Sequence, residues 1–262
     1  MSLSPTVPAV IPRVFHHVWV GPNPLPDEFA RYRQTWAEHH PGWEMRLWTE
    51  DNLPKDLRRA EVYERLRVPA ERADILRLEV LWREGGVYLD TDFECLRSIE
   101  PLIEGLDFFS AYLKPGRTNN AVIGAVPGHP ILDRALDELK PRDVYGYDKA
   151  AAGPFFFDAL LKDYPEVKLF EPALFYPSSP EERERAAAIH HMDRSWKDAE
   201  GFKAAAIVAE RRYGTAQAEA ASLRKQLARS EERRKALQAS LINERPIAGR
   251  LAALRSALKR PR

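Results

Sequence analysis

The sequence predicts an α/β domain followed by a helical appendage. A strand, a helix and a second strand follow one another over residues 14–49, which is the rhythm of a parallel sheet. A longer helical pattern over 69–84 runs into a glycine pair and a short apolar strand. The stretch 204–243 is rich in Ala, Glu, Arg, Gln and Leu and has no proline, which predicts one or two long helices. At 262 residues the chain suits one domain of moderate size plus this tail.

The first half of the domain has clear boundaries. An apolar run predicts a strand over 14–20, closed by the turn signal Gly21-Pro22-Asn23-Pro24. Apolar residues spaced three or four apart predict a helix over 26–39, which Pro41-Gly42 ends. Alternation of apolar and polar residues predicts the second strand over 44–49.

The second half of the domain alternates between helical and strand patterns of apolar residues. Ile75, Leu78 and Leu81 form an apolar stripe in the helix predicted over 69–84. Val87, Tyr88 and Leu89 then predict a buried strand. Further strands are predicted over 108–113, 119–126, 168–171 and 187–190, with helices over 131–139 and 153–161.

Composition excludes several classes of protein. Forty-four per cent of the residues are apolar, yet there is no apolar run near 18 residues and no charged-then-apolar start, so neither a membrane span nor a signal peptide is expected. We therefore expect a cytoplasmic protein. The single cysteine, Cys95, excludes an internal disulfide framework and a Cys-rich metal site, and we expect it to pack in the core.

Charge divides the chain near residue 203. The formal charge is +1, but residues 203–262 contain 15 Lys and Arg against 5 Asp and Glu, so the tail carries +10 and the rest carries −9. The predicted organisation is a disordered 1–9, a domain over 10–202 and a basic helical tail over 203–262.

The tail has two apolar faces. Leu223, Leu227, Leu237 and Leu241 suggest a short or imperfect coiled coil. A basic amphipathic helix is predicted over 246–260, which suits an anionic membrane surface at the cytoplasmic face, and packing against its own domain or a sister chain is equally consistent. Nucleic-acid binding is not expected, because the tail offers only Tyr213 as a stacking aromatic.

Asp90-Thr91-Asp92 is the segment that most requires a chemical explanation. On a continuing strand the two Asp would lie on one face, with Cα atoms roughly 6.6 Å apart. Two like charges at the end of a buried strand need a cation nearby, and Mg²⁺ or Mn²⁺ favours carboxylate ligands. The alternative is that the strand ends at Leu89 and both Asp are solvated. Taken alone, Asp74 and Arg77, three residues apart, are more typical of an exposed ion pair than of a binding site.

Spaced blocks decide between these alternatives. They are Ile11-Pro12-Arg13-Val14-Phe15-His16-His17-Val18-Trp19-Val20-Gly21, Ala73-Asp74-Ile75-Leu76-Arg77, Gly85-Gly86-Val87-Tyr88-Leu89-Asp90-Thr91-Asp92, Asn119-Asn120 through Gly128-His129-Pro130, and Ala188-Ile189-His190-His191-Met192-Asp193-Arg194-Ser195-Trp196. In this order the chain resembles, over about 10–197, the DXD-motif sugar transferases that include Och1-type mannosyltransferases, α-1,4-galactosyltransferases and bacterial polysaccharide enzymes. The glucosyltransferase domain of the large clostridial toxins is similar over the same blocks. The resemblance implies a GT-A fold, a Rossmann-like mixed sheet flanked by helices, with a nucleotide-sugar donor, Mn²⁺ or Mg²⁺, and transfer with retention.

The resemblance also implies roles around the metal. Asp92 is expected to bind the metal directly, and Asp90 to contact its water shell or the donor. His190 is expected to be a second metal ligand, with His191 as its alternative. Ser195 and Trp196 are expected to close over the diphosphate, although Met192-Asp193-Arg194 departs from the residues that many relatives have there.

Further roles concern the sugar and the base. Asp74 and Arg77 match the pair that grips the sugar, and Tyr88 lies beside the donor. Trp19 matches an aromatic that stacks on the nucleobase, unless it is an ordinary core tryptophan. Asn120 matches an asparagine near the reacting carbon.

The predicted function is hexose transfer from a nucleotide sugar, a UDP-sugar being favoured over a GDP-sugar, to a saccharide or glycolipid in bacterial surface polysaccharide synthesis. A metal held by Asp92 and His190 suits departure of a diphosphate. The sequence offers no residue with a clear claim as covalent nucleophile, which favours front-face transfer. The alternatives are a glycoside hydrolase, whose two carboxylates flank the scissile bond, and a non-catalytic scaffold or membrane-association protein.

Overall fold

A computed structural model describes residues 10–66, 68–139, 152–193, 221–240 and 249–257. The chain forms two compact units, Met1–Ala205 and Ala206–Arg262. The predicted domain boundary at residue 203 stays a prediction, because it falls outside the described ranges, as does the predicted disorder of residues 1–9.

The first unit contains eight strands and eight helices within its described residues. The strands are β1 Val14–Val18, β2 Glu44–Trp48, β3 Gly86–Leu89, β4 Phe93–Cys95, β5 Phe108–Lys114, β6 Arg117–Ala125, β7 Lys168–Phe170 and β8 Ala188–His190. The helices are α1 Asp27–His39, α2 Ala60–Tyr63, α3 Pro69–Glu84, α4 Glu100–Ile103, α5 Pro130–Glu138, α6 Pro154–Leu161, α7 Pro172–Phe175 and α8 Pro180–Arg185. The predicted elements are found within a few residues of these bounds.

A six-stranded sheet with the order β2-β1-β3-β6-β5-β7 forms the centre of this unit. The parallel pairing expected from the first strand-helix-strand unit is present, since β1 pairs in parallel with both β2 and β3. The sheet is mixed, because β6 runs antiparallel to both β3 and β5. A second, two-stranded sheet pairs β4 with β8. The mixed sheet flanked by helices agrees with the predicted GT-A class.

Alternation along β3 divides the core into two layers. Val87 and Leu89 pack in one layer with Trp36 of α1. Tyr88 points to the opposite layer, where it packs with the apolar stripe of α3. Both faces of β3 are thus covered by core side chains. This packing fixes the end of β3, from which Asp90 follows. Cys95 is buried and free, as expected.

Two glycines let β3 pack closely against its neighbours. Gly85 ends α3 with φ 65°, and Gly86 opens β3 with φ 96°, a backbone conformation that favours glycine. A Cβ on Gly86 would lie 2.6 Å from the Val14 carbonyl oxygen, so a side chain there would force β1 and β3 apart. The glycine pair therefore sets the direction in which the chain approaches Asp90.

His16 is a buried neutral histidine of β1. Its Nε2 donates to the Gly85 carbonyl oxygen at 2.8 Å, and the Trp48 Nε1–H donates to its Nδ1 at 3.0 Å. These two partners fix one neutral tautomer, because a second proton would face the Trp48 N–H. Burial, with a smaller contribution from the charge of Arg46, lowers the pKa of His16 to about 4.

We expect His16 to make the fold sensitive to acid. Its folded-state pKa lies below the unfolded value, so the unfolded chain takes up the proton first and stability is lost as pH falls from 6.5 toward 4. His16→Gln keeps a donor and an acceptor but does not titrate. As pH falls through this window, the free energy of unfolding of the variant should decline less steeply than that of the wild type. The two slopes should differ by about 1.4 kcal/mol per pH unit. Urea unfolding at several pH values measures this, and parallel profiles for the two proteins would contradict it.

In the second unit, residues 221–240 and 249–257 are helical and exposed. They fall within the predicted long helix and the predicted amphipathic helix, respectively. Leu223, Leu227 and Leu237 of the former, and Leu251 and Leu254 of the latter, are more than half exposed. Among the described residues, no helix is both long and apolar enough to cross a membrane.

Candidate active site

Asp90 and Asp92 lie in a tight turn between β3 and β4. β3 ends at Leu89, and the Phe93 N–H donates to the Asp90 carbonyl oxygen at 3.3 Å. The expectation of one continuing strand is therefore wrong, because the glycine-led strand is only four residues long and a turn follows it. The alternative is confirmed in its strand end at Leu89 but is wrong in its solvated carboxylates, since the Asp92 side chain is only 9% exposed. The turn, rather than strand alternation, brings the two carboxylates together.

Asp92 is held by the segment around β8. His190 Nε2 lies 3.0 Å from one carboxylate oxygen of Asp92, and the Asp193 N–H donates to the other at 2.8 Å. Burial acts to raise the pKa of Asp92, but the hydrogen bond and charge of His190 and the Asp193 N–H outweigh it and hold this pKa below its usual value. Asp92 is thus an oriented carboxylate, as a direct metal ligand must be.

Asp90 is oriented by residues on the other side. The Tyr88 hydroxyl donates to its Oδ1 at 2.8 Å, and Arg77 Nη1 lies 3.0 Å from the same oxygen. Its Oδ2 lies 3.8 Å from His190 Nε2. The Asp90 side chain is 28% exposed, more than that of Asp92. One carboxylate oxygen is therefore fixed by the protein, while the other faces the histidine.

Asp74 and Arg77 are buried on α3, so the alternative of an exposed ion pair is wrong. Arg77 Nη2 lies 2.8 Å from Asp74 Oδ1, and Arg77 Nη1 also donates to the Asn120 carbonyl oxygen at 2.6 Å. The Asn120 side-chain amide donates to Asp74 Oδ1 at 2.8 Å. Burial raises the pKa of Asp74 to about 7 against the lowering effects of Arg77 and Asn120. The Asp74 carboxyl therefore titrates near neutral pH.

His190 and His191 point to different places. The His190 ring stacks on Phe93 at 4.3 Å and faces the carboxylates, whereas its buried Nδ1 has no hydrogen-bond partner among the residues that the structure describes. The His191 ring stacks on Tyr32 at 4.3 Å, and its Nε2 lies 2.9 Å from Glu94. Alternation along β8 and beyond separates the two rings, so the structure brings His190, and not His191, to the two carboxylates.

The donor set fits a divalent cation. Asp90, Asp92 and His190 each offer one ligand atom, and these three atoms lie within 4.8 Å of one another. Two carboxylate oxygens and one imidazole nitrogen are ligands that Mn²⁺ accepts, and Mg²⁺ takes the carboxylates. In the described part of the chain this is the one group of three or more such residues found. The direct role of each residue toward a metal stays a prediction.

Of the remaining predicted site residues, the structure describes only one. Trp19 follows β1, where its Nε1 donates to the Asn23 carbonyl oxygen at 2.8 Å and its ring contacts Phe29 edge-on. It is half-buried, which leaves its stacking role a prediction. Ser195 and Trp196 lie outside the described residues.

Sequence reasoning missed two contributors to the site. The Asp193 N–H holds Asp92, and Tyr176, just after α7, packs against His190 with ring centroids 5.5 Å apart. Because the Asp193 contact is made by a backbone N–H, the residue type at that position does not reveal it. Tyr176 lies more than eighty positions from the carboxylates, and only the pairing of β4 with β8 brings that part of the chain to them.

We expect the two histidines to differ in metal binding. His190→Gln should weaken Mn²⁺ binding by roughly 100-fold, because it removes the imidazole that faces the carboxylates. His191→Gln is the matched control and should change the affinity by less than about threefold. Titration of free Mn²⁺ by electron paramagnetic resonance measures both. A larger loss in the His191 variant would contradict the assignment.

Comparison with known proteins shows which family these residues resemble. Residues 26–109 match the family model described as a glycosyltransferase sugar-binding region containing a DXD motif. The chain is 29% identical over 193 residues to a mannosyl phosphorylinositol ceramide synthase of Saccharomyces cerevisiae, covering 66% of this chain and 49% of that protein. It is 31% identical over 163 residues to an uncharacterised glycosyltransferase of Acanthamoeba polyphaga mimivirus, covering 58% and 65%.

A solved structure gives the same result for the fold. The PaToxG glycosyltransferase superposes with a TM-score of 0.50 at 19% identity, covering 59% of this chain and 70% of that one. The chain spans about half the length of the curated relatives from yeast that it matches. The family match includes Asp74, Arg77, Asp90 and Asp92. The comparisons therefore confirm the predicted resemblance to the DXD-motif glycosyltransferases and the predicted GT-A fold, and they support the predicted enzyme class.

Proposed function

We propose that this chain is a metal-dependent, retaining glycosyltransferase that moves a hexose from a nucleoside-diphosphate sugar to a hydroxyl of a saccharide or glycolipid. The convergence of Asp90, Asp92 and His190 beside the buried Asp74–Arg77 pair carries the proposal. Binding of a nucleotide-sugar donor requires metal ligands for the diphosphate and polar side chains that hydrogen-bond the sugar. The family match over residues 26–109 supports it.

The charged residues suit the departure of a diphosphate. A bound Mn²⁺ or Mg²⁺ would supply a Lewis acid that neutralises the charge growing on the leaving phosphate. Asp92 and His190 are oriented to hold such an ion, and Asp90 is tied to Arg77 on its other oxygen. In this proposal Asp90 contacts either the ion's water shell or the donor.

The buried polar side chains beside the cluster suit the binding of a sugar ring. Asp74 and Asn120 are linked by a hydrogen bond and are almost completely buried, so their orientation is fixed before a ligand arrives. Carboxylate and amide groups fixed in this way hydrogen-bond sugar hydroxyls with little loss of side-chain entropy. We infer that Asp74 and Arg77 set the sugar's position and that Asn120 lies near the reacting carbon.

The carboxylate arrangement favours transfer over glycoside hydrolysis. In a hydrolase the two carboxyl groups face each other across the scissile bond. Here both are directed at the same imidazole, and both oxygens of Asp92 already accept hydrogen bonds. The ligand atoms of Asp90, Asp92 and His190 lie within 4.8 Å of one another, which suits a shared cation.

The identities of the sugar donor and of the acceptor are further proposals. A UDP-sugar is our first choice and a GDP-sugar our second, with Trp19 stacked on the base. The acceptor is a saccharide or a glycolipid. One relative is named for a phosphorylinositol ceramide product, which supports a glycolipid. The predicted role in bacterial surface polysaccharide synthesis stays a prediction.

A donor-hydrolysis screen tests the function. The purified chain is incubated with UDP- and GDP-sugars and Mn²⁺, and the released nucleotide and the anomer of the released sugar are measured by NMR. We expect hydrolysis of at least one nucleotide sugar with retention, loss on adding EDTA and recovery with excess Mn²⁺. EDTA-resistant cleavage of glycosides instead of nucleotide sugars would support the hydrolase alternative and overturn the proposal.

We propose that the basic tail, residues 216–262, binds an anionic membrane surface or associates with a second copy. Exposed Leu251 and Leu254 lie near Arg250 and Arg255 on one short helix, which supports the membrane alternative. Exposed Leu223 and Leu227, four residues apart, support self-association. Liposome flotation and oligomer mass before and after deletion from Ala216 separate the two, and no change in either would contradict both. A cytoplasmic location, peripheral to the membrane, stays a prediction.

A further inference from the structure

Tyr176 is a buried tyrosine held firmly beside the candidate metal site. It follows α7, and its N–H donates to the Pro172 carbonyl oxygen at 2.7 Å. Its ring packs edge-on against Phe93 at 5.8 Å and against His190 at 5.5 Å. The residue is only 8% exposed. These contacts fix the ring, so the hydroxyl has a defined position next to the ligand cluster.

The Tyr176 hydroxyl has no hydrogen-bond partner within the described ranges, although it is buried. The Tyr176 ring packs against His190, whose Nε2 lies 3.0 Å from Asp92, so it lies beside the candidate metal site. A phenol is un-ionised at neutral pH, so the hydroxyl is a neutral donor.

A buried hydroxyl without a partner is costly, and a phenylalanine would make the same ring contacts without that cost. Three of the four carboxylate oxygens of Asp90 and Asp92 are engaged elsewhere. Asp90 Oδ1 accepts from the Tyr88 hydroxyl and pairs with Arg77, and the two oxygens of Asp92 are taken by His190 and the Asp193 N–H. The hydroxyl is therefore best explained by a ligand that carries its own acceptor.

We propose that the Tyr176 hydroxyl donates a hydrogen bond to a phosphate oxygen of the nucleoside diphosphate bound at the Asp90, Asp92 and His190 cluster. This rests on the proposed function and deepens it. Phosphate oxygens are acceptors only, and the two carboxylates that surround the site can offer them no donor. A neutral phenol supplies that donor without adding a positive charge that would compete with a cation. Tyr176 is thus a donor-binding residue that selects for a diphosphate.

Tyr176→Phe tests the proposal, because it removes the hydroxyl and keeps the ring. The probe is UDP, and in a second series GDP, added with Mn²⁺ and followed by isothermal titration calorimetry. We expect the variant to bind the Mn²⁺–nucleotide about 10- to 100-fold more weakly, the usual effect of losing a hydrogen bond to a charged group. Its affinity for Mn²⁺ alone and its Tm should equal those of the wild type or exceed them.

Tyr112→Phe is the matched control, since Tyr112 lies on β5 outside the cluster, and it should leave nucleotide affinity unchanged. Wild-type affinity for both Mn²⁺–nucleotides in the Tyr176 variant would overturn this inference and leave the proposed function intact. Failure of the wild type to bind either Mn²⁺–nucleotide would overturn the proposed function, and this inference with it.

Discussion

Asp92→Asn should abolish sugar transfer, lowering kcat/KM by about 1,000-fold or more. The amide keeps the size of the side chain but removes the negative charge that His190 and a cation require. Loss of charge stabilisation at a developing anion costs about 2.7–4 kcal/mol even for a single neutral donor, and a metal ligand contributes more. Mn²⁺ affinity should fall together with activity. Steady-state kinetics with the donor found in the screen, together with Mn²⁺ titration, measure both quantities.

Asp163→Asn is the control for this experiment. Asp163 is an exposed carboxylate paired with Arg134, and its replacement should leave activity and Mn²⁺ affinity as they are. An Asp92→Asn protein that is folded by circular dichroism and keeps even a tenth of wild-type transfer would show that the metal site is elsewhere.

Arg77→Met should have the largest effect on stability, with a free energy of unfolding about 3–5 kcal/mol below that of the wild type. The Arg77 side chain is 6% exposed and lies 2.8 Å from Asp74 and 3.0 Å from Asp90. It also covers the Tyr88 ring, with its guanidinium carbon 4.6 Å from the ring centroid. Removing it leaves two carboxylates in a poorly hydrated site without their shared cation. Urea unfolding at pH 7.5 measures the change.

Arg134→Met is the matched comparison. Arg134 pairs with Glu138 and Asp163 at the surface and is 38% exposed, so its loss should destabilise the fold far less than the loss of Arg77. Equal costs for the two variants would mean that the Asp74–Arg77–Asp90 network does not stabilise the fold. Because the pKa of Asp74 lies at about 7, Asp74 takes up a proton as pH falls below that value, and the deficit of Arg77→Met should shrink there.

The sequence predicts the long elements well because their patterns are local. The apolar stripe of α3 and the glycine pair that ends it place β3 within one residue. The missed elements are β4 and the helices α2, α4, α7 and α8, each of three to six residues. Such segments are shorter than two helical turns or three strand pleats, so no period appears in their sequence. Tertiary contacts define them instead, as when the Trp36 Nε1–H donates to the Phe93 carbonyl oxygen.

The sequence predicts which residues belong to the candidate site, and their roles stay predictions, but it does not predict the geometry. The order of the spaced blocks identifies Asp74, Arg77, Asp90, Asp92 and His190 without a structure. Spacing alone could not show that α3 buries the first two, or that a turn rather than a strand joins the carboxylates. The approach of His190 depends on β4 pairing with β8, where Phe93 opposes His190 across almost a hundred residues of sequence. Such long-range pairing is set by packing, which no local pattern records.

Anomalous diffraction from Mn²⁺ tests the central claim most directly. Crystals grown with Mn²⁺ and UDP should show one strong manganese peak about 2 Å from an Asp92 carboxylate oxygen and from His190 Nε2, with a phosphate oxygen as a further ligand. The same crystals of Asp92→Asn should lack the peak. A manganese peak away from Asp90, Asp92 and His190, or UDP bound with no metal at this cluster, would contradict the account.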